Sequence, residues 1–164
     1  ILSNISTAFS ALTNMPAKND EEFDFVSVIK RTLDIFNTDE IHFTHSHDEI
    51  IAVFDKDQLG RVVTNLVKNA LQATENEPFP AIEVKLTKSE KDITLTVKDN
   101  GIGIADADKE KIFEPKFTTK TSGSGLGLAM VKNIVLSYNG SISFTSQVGK
   151  GSEFVITLVH FLNK

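Results

Sequence analysis

The chain has 164 residues, 40% of them hydrophobic and 24% charged, which is the size and composition of one globular domain with a real core. Seventeen Lys and Arg against 22 Asp and Glu leave a net charge of −5, which argues against nucleic acid as the principal partner. The absence of cysteine excludes disulfides, cysteine-zinc sites and thiol catalysis, and no apolar run approaches the roughly 18 residues of a membrane span.

In chain order, residues 1–15 predict a helix with Ile1, Ile5, Ala8, Phe9 and Leu12 on one stripe, ended by Pro16 and the polar run AKNDEE. Ser27 to Asn37 predicts a second helix. Ile41–Thr44 and Glu49–Phe54 read as short strands around the polar HSHDE. Asp55 to Asn76 is the clearest helix: Leu59, Val62, Val63, Leu66, Val67, Ala70 and Leu71 form a continuous apolar stripe, and Asp55 with Gln58 resembles a capping box. Ile82, Val84 and Leu86 alternate, as do Ile93, Leu95 and Val97, and KSEKD joins them in a hairpin. Asp106 to Phe113 reads as a short helix and Thr118 to Gly125 as a polar loop. Leu126 to Tyr138 reads as a helix stopped by Asn139-Gly140. Two strands through Ile142 and Phe144, and through Phe154, Ile156 and Leu158, close the chain around VGKG. Strands and helices do not strictly alternate, so the class is α+β and not a doubly wound sheet.

Of nine glycines, five stand at 101, 103, 123, 125 and 127, which marks unusual backbone or close approach to a ligand. The common nucleotide motifs fail. Gly149-Lys150 has Phe144 where a Walker A loop needs glycine. Gly101-x-Gly103 has Asp106 where the dinucleotide fingerprint needs its third.

Four segments remain. Asn65 and Asn69, in NLVKNALQA, share a helix face beside the apolar stripe, and an amide carbonyl there is a hard oxygen ligand suited to Mg²⁺. Asp99, in DNGIGI, is an acceptor able to take a hydrogen bond from an exocyclic amine such as adenine N6. KIFEPKFTTK is the third. In the fourth, GSGLGLA, glycine at every second position leads into a helix, offering backbone N–H groups at its positive end to a phosphate chain. Taken singly, these segments also fit solvated asparagines, a strand-ending turn and a flexible loop.

Together and in this order they resemble the four boxes of the catalytic and ATP-binding domain of sensor histidine kinases, within the superfamily shared with DNA gyrase B, Hsp90 and MutL. The resemblance spans roughly residues 20–162, and the TTK segment is similar to the nitrogen-regulation branch. It implies a two-layer α/β sandwich of the Bergerat type, with a mixed sheet of about five strands covered by three helices, and ATP with Mg²⁺ as cofactors. By analogy Asp99 holds the adenine amine, with Gly101, Gly103 and Ile104 around the base and Ser152 a hydroxyl nearby. Asn69 coordinates Mg²⁺ and Asn65 lies by the phosphates. Gly123, Ser124, Gly125, Leu126, Gly127 and Leu128 wrap the triphosphate. A lid from about Ile112 to Ser124, packed by Phe113 and Phe117, brings Thr118, Thr119 and Lys120 to the phosphates. Gln72 and Ala73 stand where many relatives carry a basic and an aromatic residue, which weakens one phosphate contact and leaves base stacking missing at that place.

The hydrolysing members of that superfamily carry a glutamate base at the position of Asn65. An amide cannot take a proton from water, so transfer to another nucleophile is favoured over hydrolysis. No histidine here suits the phosphoacceptor. Of His42, His45, His47 and His160 only His47 precedes an acid, and it leads into the strand-like IIAVF. His45 and His47 share a strand face, best read as a solvated edge. The expected organisation is therefore 1–16 as the tail of a dimerisation and phosphoacceptor hairpin lying outside this sequence, and 20–164 as the ATP-binding domain. The expected partners are that hairpin and a response regulator. The piece itself would be monomeric, without membrane contact, and part of the cytoplasmic side of a homodimer that could be anchored in the bacterial inner membrane. A degenerate nucleotide sensor, an anti-sigma-type serine kinase and an ATP-hydrolysing clamp are the competing readings.

Overall fold

The computed structural model describes residues 18–115 and 127–159. The helix expected over 1–15, the lid beyond Pro115 and His160 lie outside the described residues. So do Thr118, Thr119, Lys120, Gly123, Ser124, Gly125 and Leu126.

Strand β1 (Asp20–Asp24) falls in a stretch the sequence reads as a helix-ending polar run. It pairs antiparallel with β3 (Ile51–Asp55), with Asp20 opposite Asp55 and Asp24 opposite Ile51. Each strand of this ribbon ends in an aspartate that caps the helix after it. Asp24 accepts the N–H of Val26 at 3.0 Å and starts α1 (Phe25–Asp34). It also takes the N–H of Ile50 at 2.9 Å, which ties the ribbon to its own helix. Asp55 accepts from Asp57 (2.9 Å), Gln58 (3.2 Å) and Asn19 (2.8 Å) and starts α2 (Lys56–Ala73). Only half of the expected capping box forms, because the buried Gln58 Oε1 has no hydrogen-bond partner among the described residues. Burial pushes the Asp55 carboxyl up, but the N–H donors and Arg61 outweigh it and hold the group below the usual carboxylate range.

The strands β2 (Ile41–His45) and β3 flank the polar stretch but do not pair with each other. Strand β2 runs parallel to β4 (Ile82–Lys88) at the edge of a mixed sheet. Its order is β2-β4-β5-β7-β6, with β5 Asp92–Asp99, β6 Ser141–Gln147 and β7 Gly151–Val159. The expected helix at Asp106–Phe113 is a 3-10 turn over Asp106–Asp108 followed by further turns. With Asp, Ala, Asp, Lys and Glu at 106–110 it has no apolar stripe to bury, so packing gives a regular helix no support. The third helix, α3, covers Gly127–Ser137.

Helix α1 lies over β2, α2 over β4, β5 and β7, and α3 over β6. This gives the expected two layers: three helices among the described residues on one face of a five-stranded mixed sheet. The apolar stripe read on α2 is its buried face: Leu59, Val62, Val63, Leu66, Val67 and Ala70 are all buried. Helix α3 ends as the Asn139-Gly140 pair suggests, with Asn139 supplying the left-handed turn (φ 60°). Gly140 N–H donates to Val135 O and Asn139 N–H to Leu136 O, each at 3.0 Å, which closes a Schellman motif. Gly140 is needed for a different reason, since a Cβ there would lie 2.6 Å from Thr157 O.

The ribbon and α3 are tied where the described chain begins. Tyr138, directly after α3, stacks on Phe54 with ring centroids 3.9 Å apart and donates its hydroxyl to Asp20. Burial, with that acceptor beside it, pushes the phenol well above the ordinary tyrosine value. The Lys18 ammonium sits 4.1 Å from the Tyr138 ring centre and donates to Ser137 O, a terminal carbonyl of α3.

Candidate nucleotide site

The register of the sheet places its helix-facing residues in cross-strand rows. One row is His45, Leu86, Leu95, Ile156 and Ile142; the next is Phe43, Val84, Val97, Phe154 and Phe144. Most of these are buried under the helices. The terminal row is Ile41, Ile82, Asp99, Ser152 and Ser146, so an apolar face turns polar at one end of three adjacent strands. Asp99 and Ser152 are each 7% exposed. Directly opposed residues of an antiparallel pair have Cβ atoms about 5 Å apart on the same face, which leaves a carboxylate and a hydroxyl side by side. The sequence pattern singles out Asp99, the family resemblance names Ser152, and neither assigns a role to Ser146, which the alternation of Ile142 and Phe144 places on the same face two residues further on.

The loop after Asp99 is shaped by backbone approaches. Gly101 N–H donates to Asp99 Oδ1 at 2.9 Å, and Ile102 N–H donates to Ala73 O, at the end of α2, at 3.0 Å. A Cβ on Gly101 would lie 2.3 Å from Ala73 O, and one on Gly103 2.2 Å from Gln147 O. Both glycines are therefore required by protein backbone, independently of any base against the loop. Gly103 also has φ 76°. Gly149 N–H donates to Ile102 O at 2.9 Å, and Ile104 N–H to Ser146 Oγ at 2.8 Å. The side chain of Asn100, to which the sequence assigns nothing, holds Ala81 N–H (2.9 Å) and Phe79 O (2.8 Å) and fastens the connection before β4.

On α2, Asn65 and Asn69 are both half-buried, one turn apart, on the side the spacing predicts; Gln72 and Ala73 come after them, also half-buried. Gly127, the first residue of α3, faces Asn65: its Cβ position lies 3.7 Å from Asn65 Oδ1. The amide thus stands beside the positive end of α3. Leu128 is half-buried against the core. The start of the expected lid is anchored: Ile112 is buried, and Phe113 packs edge-on to Phe144 (5.8 Å) and Phe154 (6.4 Å).

For a divalent cation the described residues offer amide oxygens. Among them no three His, Asp or Glu converge into a ligand cluster. That suits an ion such as Mg²⁺, which takes one or two protein oxygens and completes its shell with phosphates and water. It does not suit a self-sufficient zinc or calcium cage. His45 and His47 use ring nitrogens on His47 O (2.8 Å) and Ser46 Oγ (2.7 Å). A separate open groove of about 740 Å³ is lined by residues of all three helices, Arg31, Arg61 and Met130 among them, and among the described residues shares Asn65 alone with the expected site.

The model of the histidine kinase-, DNA gyrase B- and HSP90-like ATPase family matches residues 54–160. The chain belongs to this family. It is 44% identical over 104 residues to the sensor histidine kinase ZraS of Escherichia coli strain K12, a match covering 63% of the chain and 22% of that protein. It is 34% identical over 132 residues to sporulation kinase A of Bacillus subtilis strain 168, covering 80% and 22%. The chain thus spans about a fifth of the length of these relatives. Its fold superposes on the catalytic domain of histidine kinase ThkA with a TM-score of 0.77, at 27% identity, over 87% of the chain and 96% of that domain. This is a histidine-kinase type of ATP-binding catalytic domain, and the expected sandwich and family stand. No helix among the described residues is long and apolar enough to cross a membrane.

Proposed function

We propose that this domain binds ATP with Mg²⁺ and delivers the γ-phosphoryl group to a histidine of a helical hairpin elsewhere in a longer, dimeric, cytoplasm-facing kinase, from which a response-regulator aspartate takes it. The observation that carries the reading is the polar end of an otherwise apolar sheet face, Asp99 beside Ser152, together with Asn65 against the start of α3.

In this reading Asp99, ionised and acceptor-only, takes the adenine N6–H. The loop from Gly101 to Ile104 flanks the base. Asn65, the N-terminus of α3 and the GSGLGL segment orient the triphosphate, and Asn69 contributes an amide oxygen to the cation. Bound Mg²⁺ supplies charge neutralisation at the phosphate oxygens. The incoming imidazole nitrogen forms a bond to the γ-phosphorus as the bond to the β,γ-bridging oxygen breaks. ADP leaves with that electron pair, and the ring proton passes to solvent. Asn65 cannot deprotonate water, so the domain protects ATP until the histidine arrives.

Titration calorimetry with ATP, with and without Mg²⁺, tests this beside an Asp99→Asn variant. The expected affinity is about −8 to −5 kcal/mol, micromolar to submillimolar, and about tenfold to a hundredfold weaker in the variant. Steady-state hydrolysis should stay at background. Absence of heat at millimolar ATP, or equal binding by the variant, sinks the reading.

A further inference from the structure

We propose that Ser146 is a positioning residue for nucleotide recognition: it directs the Ser152 hydroxyl proton toward the ligand, so that Asp99 and Ser152 together read the donor-acceptor edge of adenine. The inference rests on the reading above, in which the base lies at the polar end of the sheet.

Ser146 closes the terminal row, opposite Ser152 on the neighbouring strand. Its hydroxyl oxygen lies 2.8 Å from Ile104 N, 3.1 Å from Gly151 O and 2.8 Å from Ser152 Oγ. The residue is held from its other side too. The Lys109 ammonium donates to Ser146 O at 2.7 Å and pairs with Asp106 at 3.0 Å. Ser146 is therefore the junction of three pieces: the loop after Asp99, the turn beyond it and the start of β7.

A hydroxyl has one proton and two lone pairs. Ile104 N–H occupies one lone pair of Ser146. Its proton then points either to Gly151 O or to Ser152 Oγ. Pointed at Gly151, Ser146 accepts the Ser152 proton, and Ser152 offers only lone pairs to a ligand. Pointed at Ser152, Ser146 is the donor, and Ser152 keeps its own proton for the ligand. The shorter contact is the one to Ser152. The base decides between the two. Adenine presents an amine donor at N6 and an acceptor at N1. An ionised Asp99 serves only the first. N1 needs a donor, and Ser152, the cross-strand neighbour of Asp99, is placed to supply one directly or through one water. The arrangement in which Ser146 donates to Ser152 is the one complementary to adenine.

The test compares ATP with 1-deaza-ATP, in which carbon replaces N1, by calorimetry on this chain and on Ser146→Ala, Ser146→Thr and Ser152→Ala, with thermal midpoints as the control for folding. Unaltered protein should prefer ATP by about tenfold, the worth of one hydrogen bond. Ser146→Ala and Ser152→Ala should bring the two nucleotides within about threefold of each other, and Ser146→Thr, which keeps the hydroxyl, should restore the preference. A purely structural Ser146 weakens both nucleotides equally and leaves the ratio intact, which overturns the proposal. So does an unaltered protein that binds both alike, or a Ser152→Ala variant that keeps the preference; these measurements hold even where Ser146→Ala fails to fold. Failure of unaltered protein to bind either nucleotide overturns the nucleotide-site reading as well. Binding of ATP weakened in Asp99→Asn, with no preference at N1, overturns this inference alone.

Discussion

Two strands of this domain end in a buried aspartate, Asp55 after β3 and Asp99 after β5, exposed by 5% and 7%. The backbone beyond each strand sets the use of the carboxylate. After Asp55 a long helix begins at once, and three backbone N–H groups from two segments converge on the side chain. After Asp99 comes a glycine loop that turns back under α2, and the carboxylate stands in a row with two serines. Asp55 closes a helix start, and Asp99 is the residue proposed to meet the nucleotide. Burial and residue type are the same for both; three converging N–H groups at Asp55, against the Gly101 N–H and the serine row at Asp99, distinguish their settings.

The harshest way to break this contrast is to disturb both functions at Asp99 together. Gly151 has φ 120°, and a Cβ there would lie 2.0 Å from Asp99 O. Gly151→Ala should cost about 3 kcal/mol of stability, from overpacking plus a backbone forced into a conformation L residues avoid. Chemical denaturation would show the loss, and ATP binding should weaken with it. Asp99→Asn should separate the two: ATP affinity falls about tenfold to a hundredfold, as for a hydrogen bond to a charged group, while the urea midpoint stays close to that of the unaltered protein. An equal loss of stability would erase the distinction from Asp55.

Asp55→Ala is the reciprocal test. It should lower stability by about 1–2 kcal/mol, the range of a helix cap, and leave nucleotide affinity unchanged. Its pH dependence has a definite sign. The folded-state carboxyl sits below the ordinary value, so its contribution is complete above about pH 4 and fades as the pH falls through the lower folded value. The stability gap between the two proteins should therefore narrow in acid, measured by urea unfolding at successive pH values. The smallest expected effect sharpens the picture of this helix start. Gln58→Met removes a buried oxygen with no hydrogen-bond partner among the described residues and should raise stability by about 1 kcal/mol.

The sequence conveys most where one physical signal dominates. The stripe of α2, the alternation of β4 and β5 and the stop at Asn139-Gly140 each arise from local periodicity or turn chemistry, and the structure reproduces them. Asp99 stands out because a glycine loop follows its strand, whereas Ser152 is named only through the family resemblance. Strand β1 is not legible: of Asp20, Glu21, Glu22, Phe23 and Asp24 only Phe23 is buried. The strand exists through its pairing with β3 and through two capping aspartates, which are non-local. The partition of β2 and β3 into different sheets is hidden for the same reason, since neither strand records its partner. Ser146 looks like one more hydroxyl among Ser141, Ser143, Thr145 and Ser146 until the register sets it against Ser152. The glycines at 101 and 103 are readable as special, but not which backbone crowds them.

The attachment of Tyr138 has a mechanical side. Helix α3 is 11 residues long, about 16 Å at 1.5 Å per residue. Its first residue faces Asn65, and its far end is gripped by Lys18 and, through Tyr138, by Asp20. It is a stiff strut with one end beside Asn65 and the other held by Lys18 and Asp20, at the start of the described chain.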